Sequence, residues 1–142
     1  MDKVINKYSK INHLNVSREA CLDFEKFIDY VLKKNEILNI IAKSTQKREI
    51  IRERHIIDSA QAIEFIDLNS NSVYDLGSGA GFPGIILGII LKNRGNKVKM
   101  KLFEKSYHKS VFLREVVRKL NLDIEIIQKD IFEIAELNTG TI

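Results

Sequence analysis

The segment 75–84, which reads DLGSGAGFPG, is the feature that most constrains the fold of this chain. It lies between a short run containing Val73 and Tyr74 and an apolar run over 85–91. Glycines at alternate positions allow positive φ angles and leave the main chain uncovered, so that a ligand can lie against it. Pro83 suits the first turn of a helix, where its missing N–H is not needed. The order predicts a buried strand, a glycine turn and a buried helix whose N-terminal N–H groups face a nucleotide-like ligand.

The spacing of the glycines separates two classes of cofactor. A dinucleotide fingerprint has the spacing G-x-G-x-x-G, whereas Gly77, Gly79 and Gly81 stand at every second position. The pattern D-x-G-x-G-x-G resembles the first motif of the class I S-adenosylmethionine (SAM) methyltransferases. Two alternatives remain open: a tight turn without a ligand, and a fragment of a nicotinamide-dependent dehydrogenase. Three glycines and an acidic residue in one turn weaken the first alternative, because they would destabilise a purely structural element.

Length and composition limit the kind of protein. The 142 residues are enough for one domain with an appendage, and we predict an N-terminal helical segment over 1–70 and a partial SAM-binding domain over 71–142. The longest apolar run is too short to cross a bilayer, and the single Cys21 favours a reducing cytoplasm. No metal site is predicted. A net charge of +4 permits an anionic partner.

Apolar residues three and four positions apart predict two helices before the glycine turn. Residues 1–16 have no clean period and are interpreted as a lead-in. The first helix begins after Ser17, which can cap it, and ends near Asn35. The second helix has Ser44 and Thr45 as candidate caps and runs to about Phe65.

After residue 72 the sequence alternates between strand and helix patterns, which is typical of a parallel sheet with crossover helices. The predicted strands are 73–76, 98–104 and 124–127, and the predicted helices are 82–92 and one capped by Ser106. Right-handed crossovers place the strands in the order 3-2-1, with their C-terminal ends at one edge. Ligands of such sheets bind at that edge.

Two groups of residues follow the predicted strands at this edge. Glu104 ends the second strand, where a carboxylate can accept hydrogen bonds from both hydroxyls of a ribose, unless it is simply a solvated charge. Asp130, Ile131 and Phe132 follow the third strand. In class I methyltransferases this turn covers the adenine ring, and core packing is the alternative for Phe132.

Several segments together resemble one family. They are RHIIDS at 54–59, GAGFPG at 79–84, and Glu104-Lys105 followed by Lys109 and by Phe112-Leu113. They are similar to the ribosomal RNA small subunit methyltransferase G family, also called glucose-inhibited division protein B. The resemblance implies a Rossmann-like α/β fold with SAM as cofactor, which contacts Gly77, Phe82, Ile131 and Phe132. It also implies methyl transfer to N7 of a guanine in 16S rRNA of the 30S ribosomal subunit.

The chemistry that the resemblance implies needs no general base, because guanine N7 carries a lone pair and no proton at neutral pH. We therefore assign no catalytic residue, and none of the three histidines is nominated as a base. Candidate RNA contacts lie in the second helix; they are Lys47, Arg48, Arg52, Arg54 and His55. Alternatives are a solvated face, an Arg54–Asp58 pair on the helix surface, and a brace for the cofactor loop. A second basic stretch surrounds the second strand, from Lys92 to Lys109.

Members of that family have further strands beyond the pattern seen here, beginning with a fourth strand and an arginine-bearing segment. We therefore expect a C-terminally truncated form that is catalytically inert and marginally stable, or an inactive RNA-binding remnant. The strand 73–76 would be an open edge. Both this strand and the helix after the glycine turn would expose apolar surface.

Overall fold

A parallel sheet of three strands forms the centre of the structure, a computed structural model that describes residues 3–67, 69, 72–77 and 79–130. The strands are β1 (Ser72–Leu76), β2 (Lys99–Phe103) and β3 (Ile124–Ile127), and their spatial order is β1-β2-β3. Leu76 lies opposite Phe103, which lies opposite Ile127, so the three C-terminal ends meet at one edge. The predicted α/β class and strand order are confirmed.

Helices cover one face of the sheet. The described part of the chain before β1 is largely helical, and two further helices connect the strands. In the described ranges they are α1 (Lys3–Asn6), α2 (Arg18–Asn35), α3 (Arg48–Ile50), a π-helix (Ile51–Ile57), α4 (Asp58–Ala60), α5 (Gly84–Asn93), α6 (Tyr107–Lys119), and 3-10 helices at Ser9–Leu14, Lys43–Thr45 and Gln61–Phe65. None of these helices combines the length and the apolar character needed to cross a membrane.

The predicted caps of α2 and α6 are confirmed. The Ser17 hydroxyl oxygen accepts a hydrogen bond from the backbone N–H of Ala20 at 3.1 Å, and α2 begins at the next residue. Ser106 does the same for Lys109 at the start of α6, at 3.3 Å. Asn35 ends α2, where its side-chain oxygen accepts the two backbone N–H groups of 40 and 41 and fixes the following turn. Local capping rules therefore hold at these helix ends.

The second predicted helix differs from its prediction. Ser44 and Thr45 lie in a 3-10 turn and do not cap, because the Thr45 hydroxyl donates to the carbonyl of Ala42 at 2.8 Å. The regular helix begins only at α3 and continues as a π-helix. Arg54 and Asp58 are both exposed, and they form no ion pair in the described part of the chain.

The hydrophobic core joins the N-terminal helices to the sheet. Residues 84–91 of α5 are all buried, and α5 packs against α2, α4 and β2. The expectation that this helix would lose its cover is therefore wrong, because the N-terminal helices supply that cover. In β1, by contrast, all five residues are only half-buried. One core cluster includes residues from both predicted segments, 1–70 and 71–142. The domain boundary near residue 70 therefore stays a prediction.

Candidate functional site

A cavity of about 310 Å³ lies at the edge where the strands end. Its lining comes from the ends of the strands and the turns after them: Gly77, Gly79, Phe103, Glu104, Lys105, Lys109, Lys129 and Asp130. The predicted site residues Gly77, Gly79, Glu104 and Asp130 are thus brought together. The register of the sheet explains this, since it aligns the ends of β1, β2 and β3.

The glycines of the turn have two different roles. Gly77 and Gly79 have φ angles of +75° and +55°, and a Cβ added to either would meet no atom within 4 Å. Their main chain therefore borders open space in the cavity. A Cβ on Gly81 would lie 2.6 Å from Ile85 Cγ1, and one on Gly84 would lie 2.6 Å from Asp75 Oδ2. These two glycines permit close packing beneath the turn.

Glu104 is held in the cavity wall by two backbone groups. Its side chain is only 7% exposed, which excludes the alternative of a solvated surface charge. Oε1 accepts the N–H of Gly79 at 2.9 Å, and Oε2 accepts the N–H of Ser106 at 2.7 Å. Each carboxylate oxygen has a second lone pair, so the group can still accept hydrogen bonds from two ligand hydroxyls.

Asp75, the acidic residue of the glycine motif, has a different role from Glu104. Asp75 Oδ2 accepts the backbone N–H of Gly84 at 3.1 Å, and Gly84 is the first residue of α5. The carboxylate therefore satisfies one of the free N–H groups at the helix start. Asp75 thus connects β1 to α5 across the turn.

Phe82, a predicted cofactor contact, does not belong to the lining of the cavity. Its ring lies 5.3 Å from that of Phe27 and stacks on that of His55 at 4.9 Å. The His55 Nε2 atom is buried and has no hydrogen-bond partner in the described chain. Burial and the charge of Arg54 lower the pKa of His55, against a smaller opposing effect of Asp58. Phe82 therefore connects the glycine turn to the N-terminal helices.

Two of the residues predicted to contact RNA form hydrogen bonds with carboxylates of the protein itself. Arg52 is 7% exposed, and its guanidinium donates to both oxygens of Glu25 in α2, at 2.7 and 3.0 Å. Arg48 donates to Glu25 at 3.2 Å and also contacts Asp29. The Arg52 guanidinium is thus unavailable to RNA, because α2 already satisfies it. Lys47 and Arg54 are exposed, and for them RNA contact stays a prediction.

The remaining predicted residues have different outcomes. Ile131 and Phe132 lie outside the described residues. Lys105, Lys109 and Lys129 were not predicted as cavity residues, although the basic stretch from Lys92 to Lys109 includes the first two. The signal for Lys129 is its place two residues after the end of β3, since a residue at that point must reach the same edge as Glu104.

A parallel sheet with a glycine turn after β1 and a buried acidic residue after β2 defines a Rossmann-like fold of the kind found in methyltransferases. Residues 20–140 match the family model described as rRNA small subunit methyltransferase G. The chain belongs to this family.

Relatives of this chain include proteins named Ribosomal RNA small subunit methyltransferase G. The protein from Pelagibacter ubique is 51% identical over the whole chain, which covers 67% of that relative. Those from Dinoroseobacter shibae and Rickettsia akari are each 35% identical over 84% and 86% of the chain, which covers 60% of each relative. The chain thus spans about two thirds or less of the length of these curated relatives.

Proposed function

We propose that the chain is the cofactor-binding part of a SAM-dependent enzyme that methylates N7 of a guanine in 16S rRNA of the 30S ribosomal subunit. The observation that carries the proposal is the buried Glu104 carboxylate, held between Gly79 and Ser106 in the wall of the 310 Å³ cavity. The family and the names of its members support the same reaction. A cytoplasmic location follows from an rRNA substrate.

The residues present fit the cofactor. Glu104 has free lone pairs for the ribose hydroxyls, and the bare main chain at Gly77 and Gly79 leaves room for a ligand. Asp130 also lines the cavity, and by resemblance the adenine would bind beside it. When bound, SAM supplies a methyl group on a positively charged sulfur. By resemblance, Ile131 and Phe132 would complete the cofactor site, and Phe82 would support the glycine turn through its contacts with Phe27 and His55.

The work left to the protein is to orient the reactants and exclude water. Guanine N7 presents a lone pair without a proton, so that no side chain needs to remove one. No histidine belongs to the lining described for the cavity, which suits a reaction that depends on alignment and electrostatics. The described lining has three lysines and two acidic residues. A net positive charge of this kind attracts RNA phosphates, as do the exposed Lys47 and Arg54.

Calorimetric titration with SAM and, separately, with NAD tests the cofactor. We expect the chain to bind SAM in preference to NAD, since the glycine spacing departs from the dinucleotide fingerprint. Gly79→Val should weaken SAM binding about tenfold or more, because its side chain enters the space in the cavity that the ligand would occupy.

Gly95→Val is the matched control for this experiment. Gly95 has a φ of +68° and open space around it, as Gly79 does, but it follows α5 at the opposite edge of the sheet. It should carry the same backbone strain without loss of SAM affinity. Preference for NAD, or equal SAM binding by both variants, contradicts the proposal. Retention of RNA without any affinity for SAM would favour the inactive remnant.

A further inference from the structure

An exposed aromatic side chain stands at the beginning of α6. Tyr107 is the first residue of this helix and is 61% exposed. The ring contact that the structure gives it is with His108, at 5.5 Å and an interplanar angle of 77°. An edge contact of this type does not cover the faces of both rings. Tyr107 therefore has an aromatic surface open to a planar ligand.

The position of Tyr107 relates it to the cavity. Side chains of a helix tilt toward its N-terminus, and α6 begins at the edge where the cavity lies. Lys105 precedes Tyr107 and Lys109 follows it, and both line the cavity. Glu104, the acidic residue between this segment and β2, is turned inward to backbone N–H groups. Among residues 105–109 the exposed ones are Lys105, Tyr107 and His108, and Lys109 is half-buried. The exposed surface of this segment thus combines a positive charge with aromatic rings.

We propose that Tyr107 is a stacking platform for an unpaired RNA base at the entrance of the cavity, and that Lys105 and Lys109 bind the adjacent phosphates. Aromatic stacking between lysines is a general way to bind single-stranded RNA, because each base offers a π face and each nucleotide a phosphate. The proposal deepens the proposed function and rests on it for RNA as the substrate. It assigns a substrate contact to a residue outside the cofactor site.

The neighbours of Tyr107 favour RNA over a protein partner. A protein interface needs a contiguous apolar centre, whereas the exposed residues beside Tyr107 are Lys105 and His108. The other large exposed hydrophobic side chains of the described chain are on separate elements: Ile5 in α1, Ile37 after α2, and Phe65 before β1. Tyr107 is therefore an isolated ring within a basic surface.

Fluorescence anisotropy with two labelled RNA probes tests the proposal, using the full 142-residue chain. One probe is a hairpin with a guanine-containing loop, and the other is a blunt duplex with the sequence of its stem. Tyr107→Ala should weaken binding of the hairpin about tenfold and leave duplex binding unchanged, because only the loop offers an unpaired base. Tyr107→Phe keeps the ring and should bind the hairpin as the wild type does.

Two controls match these variants. Phe65→Ala removes an aromatic side chain that is 88% exposed, in the 3-10 helix before β1, and should not change hairpin binding. For charge, Lys105→Gln and Lys109→Gln should each reduce the slope of log affinity against log salt by about one. Arg118→Gln removes an exposed charge at the far end of α6 and should leave the slope unchanged.

SAM titration of the same proteins separates the two proposals. Hairpin binding that depends on Tyr107, in a chain without affinity for SAM, supports the stacking platform and contradicts the proposed function. Equal hairpin binding by the wild type and Tyr107→Ala overturns the platform, whether or not SAM binds. A wild-type chain that does not bind the hairpin, or an equal loss in Phe65→Ala, also overturns it.

Discussion

His55 lies behind the glycine turn, where its ring stacks on Phe82 and its Nε2 atom is buried without a hydrogen-bond partner in the described chain. Burial and the nearby charge of Arg54 keep the pKa of this imidazole below its ordinary value of 6.5, and Asp58 opposes them only in part. The neutral ring is thus the form that fits the stack.

This lowered pKa predicts a loss of stability in mild acid. Above about pH 6.5 neither the folded nor the unfolded chain protonates His55, so the residue causes no pH dependence. Below that value His55 is protonated in the unfolded chain but not in the folded chain. The free energy of unfolding therefore falls with decreasing pH until the pKa of His55 in the folded chain is reached. Urea unfolding between about pH 5 and pH 8 measures this effect.

His55→Phe keeps an aromatic ring on Phe82 and should remove this part of the pH dependence. His108→Gln, which changes an exposed histidine, should leave it unchanged. A pH profile of His55→Phe identical to that of the wild type would contradict the interpretation.

Between elements, a cluster of charged hydrogen bonds joins the π-helix to α2. Both oxygens of Glu25 accept hydrogen bonds from Arg52, and the Tyr8 hydroxyl donates to the same carboxylate at 2.5 Å. Burial alone would raise the pKa of Glu25, but the hydrogen bonds from Arg52 and Tyr8 and the charge of Arg52 lower it. The cluster therefore holds the carboxylate in its charged form and fixes the π-helix on α2.

Glu25→Gln should destabilise the fold by about 1–3 kcal/mol, because the buried guanidinium of Arg52 loses its counter-charge. The wild-type contribution is complete above the ordinary carboxyl pKa of 4.5 and is lost as the pH falls through the lower folded pKa. Chemical denaturation at neutral pH measures the difference. Glu49→Gln, an exposed carboxylate in α3, is the control. Equal stability of the two variants would show that the cluster contributes nothing.

For the whole molecule, the cover of the sheet is uneven. Residues 84–91 of α5 are buried, largely by the N-terminal helices, but β1 pairs only with β2 among the described strands and is half-buried throughout. Exposed apolar surface costs roughly 25 cal/mol per Å² against a net stability of about 5–15 kcal/mol. Of the two elements expected to expose apolar surface, β1 and α5, only β1 therefore loses stability in this way. Its open strand edge also permits association.

We predict that the 142-residue chain is inert in methyl transfer and melts at a lower temperature than a chain completed with the part of the Pelagibacter ubique relative that it does not cover. Added strands can pair with β1 and complete the cavity wall. Melting curves, size-exclusion chromatography and methyl transfer to 30S subunits compare the two proteins. An active 142-residue monomer that melts at the same temperature as the longer chain would refute this prediction.

The sequence alone determined the features that depend on near neighbours along the chain. The glycine spacing after Val73 and Tyr74 predicted the strand, turn and buried helix, and Ser17 and Ser106 predicted two helix starts, because turns and caps involve residues only a few positions apart. The place of Glu104 at a strand end was enough to put it at the ligand-binding edge. These interactions are local, so a short pattern contains them.

Only the tertiary structure decided which distant residues become partners. Arg52 and Glu25 are 27 positions apart, and a basic residue on a helix gives no sign that a carboxylate of another helix will bury it. In the same way, the glycine motif could not show that Phe82 turns from the cavity toward His55. Helical periodicity identifies the face that is buried, but the three-dimensional packing of the elements determines what that face meets.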